Sequence, residues 1–161
     1  MIADRKVYLS HDKSRDFMSL PLPPLIQPRA HPGAQLDKPS PNPLLILVVE
    51  DEATIAELLV EVIEEYGYAA LRAKNGAEGL KLARHHHPAL IISDVMMPVM
   101  DGYGLLRAIR SEPDLANTTV VLISAAFLRH IPPESPAADA YINKPFNIQE
   151  LGALLDQIQG L

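Results

Sequence analysis

Leu45-Ile46-Leu47-Val48-Val49-Glu50-Asp51-Glu52 decides how this chain folds. Five consecutive aliphatic residues followed at once by acids read as a strand buried on both faces that delivers carboxylates where it stops. Leu90-Ile91-Ile92-Ser93-Asp94 repeats the pattern with a lone acid. A third run, Val120-Val121-Leu122-Ile123, stops at Ser124, and a fourth, Tyr141-Ile142-Asn143, stops at Lys144-Pro145. Ligands of open parallel sheets bind beyond the carboxyl ends of the strands. Several carboxylates meeting there repel one another unless a hard divalent cation sits among them. An acid pair, a lone acid, a hydroxyl and a lysine, each at a strand end, form a donor set suited to phosphoryl transfer.

The intervening segments carry helical periodicity. Residues 54–66 place Ile55, Leu58, Leu59, Val62, Ile63 and Tyr66 on one face, and Gly67 follows as a C-cap glycine does. A short strand over 68–73 precedes the Asn75-Gly76 turn. Residues 77–86 form a helix with Leu80, Leu82 and Ala83 inward, stopped by Pro88. A loop over 95–101 containing Pro98 leads into a helix over 102–111 that buries Leu105, Leu106 and Ile109. Asn147 can cap a last helix whose Ile148, Leu151, Leu155 and Ile158 face inward. Strands alternating with helices predict an α/β fold: a parallel sheet covered on both faces. One helix is in conflict with its residues. Pro132, Pro133 and Pro136 remove backbone donors, and a proline in a helix interior costs roughly 3 kcal/mol. A regular helix across 126–138 is not expected; a short turn or irregular loop is.

With 161 residues, 48% of them apolar, the chain can build one real core beside some extra segment. That extra segment is residues 1–43, which hold eight of the fifteen prolines. They include Pro21-Leu22-Pro23-Pro24, a PxxP pattern, and are expected to be a linker or a loosely packed tail. Charge divides at the same place. Residues 1–43 have six Lys/Arg against four Asp/Glu, net +2; residues 44–161 have eight against sixteen, net -8. The sum, -6, argues against direct nucleic-acid binding as the main activity. With no cysteine there is no disulfide framework, and no apolar run is long enough for membrane insertion. No secretory signal is visible, and a cytoplasmic location is expected.

On the motifs Leu47-Val48-Val49-Glu50-Asp51-Glu52, Asp94-Val95-Met96-Met97-Pro98-Val99-Met100-Asp101-Gly102, Ser124-Ala125 and Asn143-Lys144-Pro145-Phe146, residues 44–161 resemble the receiver domain of bacterial two-component response regulators. The resemblance implies a flavodoxin-like doubly wound sheet of five parallel strands in the order 2-1-3-4-5, here with the fourth helix shortened or irregular. It implies Asp94 as phosphoacceptor, and Glu50 and Asp51 as the acids that hold a metal with it. The backbone carbonyl of Met96 would be a further ligand. Mg²⁺ is the implied cation, with Mn²⁺ as a substitute. Glu50 is a departure, since the family more often has aspartate there. Ser124 and Lys144 would contact the phosphoryl oxygens, and Pro145 would be the family's cis proline. Ser124 and Tyr141 would be the switch pair, the tyrosine ring turning inward as the hydroxyl moves to the phosphate. Partners implied are a sensor histidine kinase or a histidine phosphotransfer protein, and an unidentified downstream protein.

Other readings of these residues compete. A haloacid-dehalogenase-type phosphatase also uses a strand-end aspartate but needs a second aspartate two residues later, where Met96 stands. A phosphate-independent interaction module with a receiver fold is the stronger alternative. His85-His86-His87 point in different directions around a helix end, and are expected to complement its negative terminus rather than bind one ion. Glu52 is expected to cap the first helix or face solvent. No helix-turn-helix, cyclase or other output segment is expected after the last helix. The expectation is a stand-alone signalling switch, not an enzyme, that acts through noncovalent contacts or passes phosphate onward.

Overall fold

The computed structural model describes residues 43–125 and 134–158, together with the backbone of Val7–Tyr8. Six parallel strands form one sheet: β1 (Val7–Tyr8), β2 (Leu45–Val49), β3 (Ala69–Ala73), β4 (Leu90–Asp94), β5 (Thr119–Ser124) and β6 (Ala140–Asn143). Their spatial order is β3-β2-β4-β5-β6-β1. Counted from β2, the five principal strands run 2-1-3-4-5, the expected doubly wound order. The two-residue β1 at the edge is an addition that the proline-rich composition of the first 43 residues did not foretell. The PxxP pattern at Pro21 and Pro24 lies outside the described residues.

Four helices are described: α1 (Ala53–Glu65), α2 (Gly76–His86), α3 (Gly102–Ser111) and α4 (Ile148–Ile158). Alternation along each strand explains the two cores. Ile46, Val48, Ile92, Val121, Ile123 and Ile142 pack under α1 and α4 with Leu59, Ile63, Leu151 and Leu155. Leu47, Val49, Ile91, Val120 and Leu122 point the other way and pack under α2 and α3 with Leu80, Leu105, Leu106 and Ile109. Because helices cover both faces, successive strand residues are buried without interruption, which is why the strands read as continuous aliphatic runs.

Local chemistry sets the element ends. Gly67 takes φ +83, a left-handed conformation that costs glycine little, directly after α1. Asn75 caps α2 by accepting from the Glu78 amide, while the Glu78 carboxylate accepts from the Lys74 amide. Asn147 and Glu150 bond reciprocally at the start of α4, a capping box. Arg84, His85 and His86 fill the last turn of α2, beside its negative end, as expected of the histidine run. The rings of His85 and His86 meet edge to face.

Two inward assignments need correction. Leu58 is 43% exposed and Ile148 53%. Both border an apolar groove between α1 and the beginning of α4, which also includes Phe146. Ile148 opens its helix and Leu58 lies on the flank of α1, so neither packs in a core. The expected irregular stretch across 126–138 is described only from residue 134, and residues 134–138 are turn and irregular chain. Residues 126–133 lie outside the description.

Candidate functional site

Apart from Tyr141, which lies within β6, the candidate residues lie at or just beyond the carboxyl ends of strands, and register brings those ends together. Asp94 pairs across the sheet with Ile123, the residue before Ser124, and Ser124 pairs with Asn143, the residue before Lys144. The Lys144 amide then donates to the Ser124 carbonyl at 2.8 Å. Glu50 follows Val49 directly, and its amide donates to the Ala73 carbonyl at 3.0 Å.

Three acids converge there. Glu50, Asp51 and Asp94 each offer a carboxylate oxygen, and those oxygens lie within 4.8 Å of one another. Glu50 is 1% exposed and Asp94 5%, whereas Asp51 faces solvent. Glu52 also faces solvent; it sits at the N-cap of α1 but forms no side-chain cap. Oxygen donors of this density suit a hard divalent cation such as Mg²⁺, which takes one or two carboxylates and completes its shell with water and phosphate oxygens.

Lys144 reaches into the cluster. Its Nζ stands 2.9 Å from Glu50 Oε2 and 2.9 Å from Asp94 Oδ1. The second Asp94 oxygen accepts from the Met96 amide at 2.9 Å, and Glu50 Oε1 accepts from the Glu52 amide at 3.3 Å. Burial pushes the Glu50 carboxyl above its ordinary range; Lys144 opposes this and the Asp94 charge adds to it. Burial also weakens the hold of Lys144 on its proton, but its bonds to Glu50 and Asp94 prevail and raise its pKa. The Lys144-Pro145 peptide bond is cis.

Ser124 is buried at the end of β5, and Tyr141 is buried in β6. The tyrosine ring already lies inside, 8% exposed, with its hydroxyl accepting from the Ala138 amide at 3.2 Å. Irregular chain at 134–138 supplies the amide that holds it there. Met96 lies in the loop after Asp94 and is 71% exposed.

Three further contributors were not singled out by the motif reading. Gly102 lies against the Asp94 backbone so closely that a Cβ would fall on the Asp94 carbonyl oxygen. Asp101 caps α3 by accepting from the Gly104 amide at 2.6 Å. Tyr103 is buried in the first turn of α3, and burial, with help from Tyr141 and Asp101, raises its hydroxyl pKa. The Asp101-Gly102 pair, a turn signal at a helix start, was the available clue to the first two. Nothing in the sequence marked the Lys144–Glu50 contact, which joins residues 94 positions apart.

The fold and site together define an α/β domain with a doubly wound sheet and a lysine-bridged acid cluster at the carboxyl ends of its strands. Residues 46–156 match the response regulator receiver domain, and the chain belongs to that family. Among relatives, a protein of Porphyra purpurea named "Probable transcriptional regulator ycf27" is 37% identical over 113 residues, 70% of this chain and 46% of its own length. Response regulator Rre1 of Synechocystis is 34% identical over 117 residues, 71% of this chain and 51% of its own. The chain thus spans about half the length of the curated relatives it matches. Response regulator TrrA of Thermotoga maritima, solved in complex with Mg²⁺-BeF, superposes with a TM-score of 0.65. It is 35% identical, over 71% of this chain and 98% of that one.

Proposed function

We propose that this receiver domain accepts a phosphoryl group on Asp94 from a histidine kinase or histidine phosphotransfer protein, with Mg²⁺ bound by Glu50, Asp51 and Asp94. The backbone carbonyl of Met96 would serve as a further ligand, and Mn²⁺ would substitute. The observation that carries the reading is Lys144 Nζ lying 2.9 Å from both Glu50 and Asp94, inside a three-carboxylate cluster at the strand ends.

Asp94 is the nucleophile. One of its carboxylate oxygens attacks phosphorus, the bond from phosphorus to the donor imidazole breaks, and the electron pair leaves with that nitrogen. The product is an acyl phosphate. Lys144 offsets charge on the transferred oxygens, and Ser124 supplies a hydroxyl donor. When bound, the cation neutralises charge on the carboxylates and the phosphoryl oxygens. Tyr141 then serves as the responding side chain, with phosphate favouring its inward position as the Ser124 hydroxyl moves to the phosphoryl oxygen. No described helix is long and apolar enough to cross a membrane. Output through a downstream protein belongs to the same proposal.

Intact-mass measurement after treatment with acetyl phosphate and Mg²⁺ tests it. One phosphoryl group should appear on the wild type, none on Asp94→Asn, and little after EDTA. Equal labelling of the Asn variant would displace the assignment to Asp94. No labelling of the wild type would favour the second reading, a phosphate-independent interaction module.

A further inference from the structure

The two edges of the sheet are built differently. β3 ends it on one side, and on the other β6 would be the last strand of the five-stranded fold. A bare edge presents amides and carbonyls that invite another strand. Here Val7 pairs with Ala140 and Tyr8 with Tyr141, in parallel. We propose that the outer edge of β6 is a strand-accepting surface whose resident occupant is the chain's own segment around Val7–Tyr8, bound in cis. An extended segment of a partner then gains this edge only by displacing it.

The composition of the segment suits the role. Lys6-Val7-Tyr8-Leu9 puts a β-branched, an aromatic and an aliphatic residue in succession, the types that favour strands. The first proline of the chain is Pro21, so the first twenty residues keep every backbone donor that strand pairing uses. Beyond them the prolines begin.

Reach permits pairing within one chain. Parallel strands need a long connection, and residues 9–44 provide one of thirty-six residues. Extended chain covers about 3.3 Å per residue, so the connection can reach roughly 100 Å. From β1 to β2 is four strand spacings, about 19 Å. The described residues leading into β6, 134–138, form no helix that would lie across this edge. Strand addition recognises mainly main-chain hydrogen-bonding groups, so the competitor is defined by chemistry: an extended peptide with its donors intact. Tyr8 pairs with Tyr141, three residues before Lys144. If the phosphoacceptor reading above holds, occupancy of this edge bears on the responding strand.

Amide hydrogen exchange on the full-length, metal-free protein tests the edge without involving phosphate, so failure of the phosphoacceptor reading would not alter it. Val7→Pro/Tyr8→Pro should accelerate exchange at outward-facing amides among 140–142 by about tenfold or more. Amides of β4 should keep wild-type protection, and Ser14→Pro should behave as wild type. A peptide spanning residues 4–11, added to the double variant, should restore protection. Unchanged exchange in the double variant, or a peptide without effect at millimolar concentration, would overturn the proposal. Wild-type protection independent of protein concentration supports binding in cis. Protection that falls on dilution of a sedimenting dimer would overturn it in favour of strand exchange between copies.

Discussion

Lys144 holds two buried carboxylates, and its removal should leave Glu50 and Asp94 without a counterion. Truncating one member of a buried ion pair commonly loses about 3–5 kcal/mol, and partial exposure of the lysine places Lys144→Ala near the lower end. Urea unfolding in EDTA would measure this, and Mg²⁺ should recover more stability in the variant than in wild type. Glu50 yields a prediction of opposite sense. Its carboxyl pKa is raised by burial, so the folded state binds this proton more tightly than the unfolded chain does. The native state therefore loses stability relative to the unfolded as pH rises from 4.5 through the raised value. Metal-free Glu50→Gln should be more stable than wild type at pH 7, with a margin that closes as pH falls towards 4.5. A constant difference across that range, in paired melts, would contradict the account. Such a residue weakens the fold where the site needs its charge.

At the scale of elements, the loop after β4 and the start of α3 have to pass against Asp94. The Gly102 amide donates to the Val95 carbonyl at 3.0 Å, and the missing side chain permits that approach. Gly102→Ala would force backbone against backbone. Overpacking of this kind costs about 1–3 kcal/mol. The greater effect should be on the site, since displacement of the Asp94 main chain moves its carboxylate away from Lys144. Reduced acetyl phosphate labelling in a variant that still melts cooperatively would be the expected outcome; wild-type labelling would show that the loop can relax elsewhere. Caps were legible in part. Asn147 is legible as a cap from its sequence, whereas Asn75-Gly76 reads there as a turn; in the structure Asn75 caps α2 and Glu78 accepts from the preceding Lys74 amide.

For the whole molecule, metal binding at the acid cluster would link folding to Mg²⁺ concentration. A ligand that binds only the folded state stabilises it by about 2.7 kcal/mol at one hundred times its dissociation constant. Mg²⁺ should therefore raise the unfolding midpoint progressively with concentration, EDTA should reverse this, and Asp51→Ala should blunt it. Calorimetric scans across a magnesium series would check all three. A midpoint unresponsive to Mg²⁺ in the wild type would argue that Lys144 alone neutralises the cluster. The charge of residues 44–161, net -8 from eight basic and sixteen acidic residues, acts in the same direction by attracting cations to this part of the chain.

Both helical layers and the meeting of Glu50, Asp51, Asp94, Ser124 and Lys144 at one edge were legible because each depends on periodicity or on chain position relative to a strand end, whereas the strand order was legible only through the resemblance to receiver domains. Burial on two faces leaves an unbroken aliphatic run, and a parallel sheet carries the residue after each run to one edge. Tertiary structure alone decided contacts between residues distant in sequence. Lys144 bridges Glu50 as well as Asp94, and the Tyr141 ring lies inward on the Ala138 amide. Leu58 and Ile148 open onto a groove, and Val7–Tyr8 closes the sheet at β6. No local pattern encodes such pairings. They follow from where separate elements come to rest, since hydrophobic burial drives the packing of those elements without specifying which polar groups will then meet.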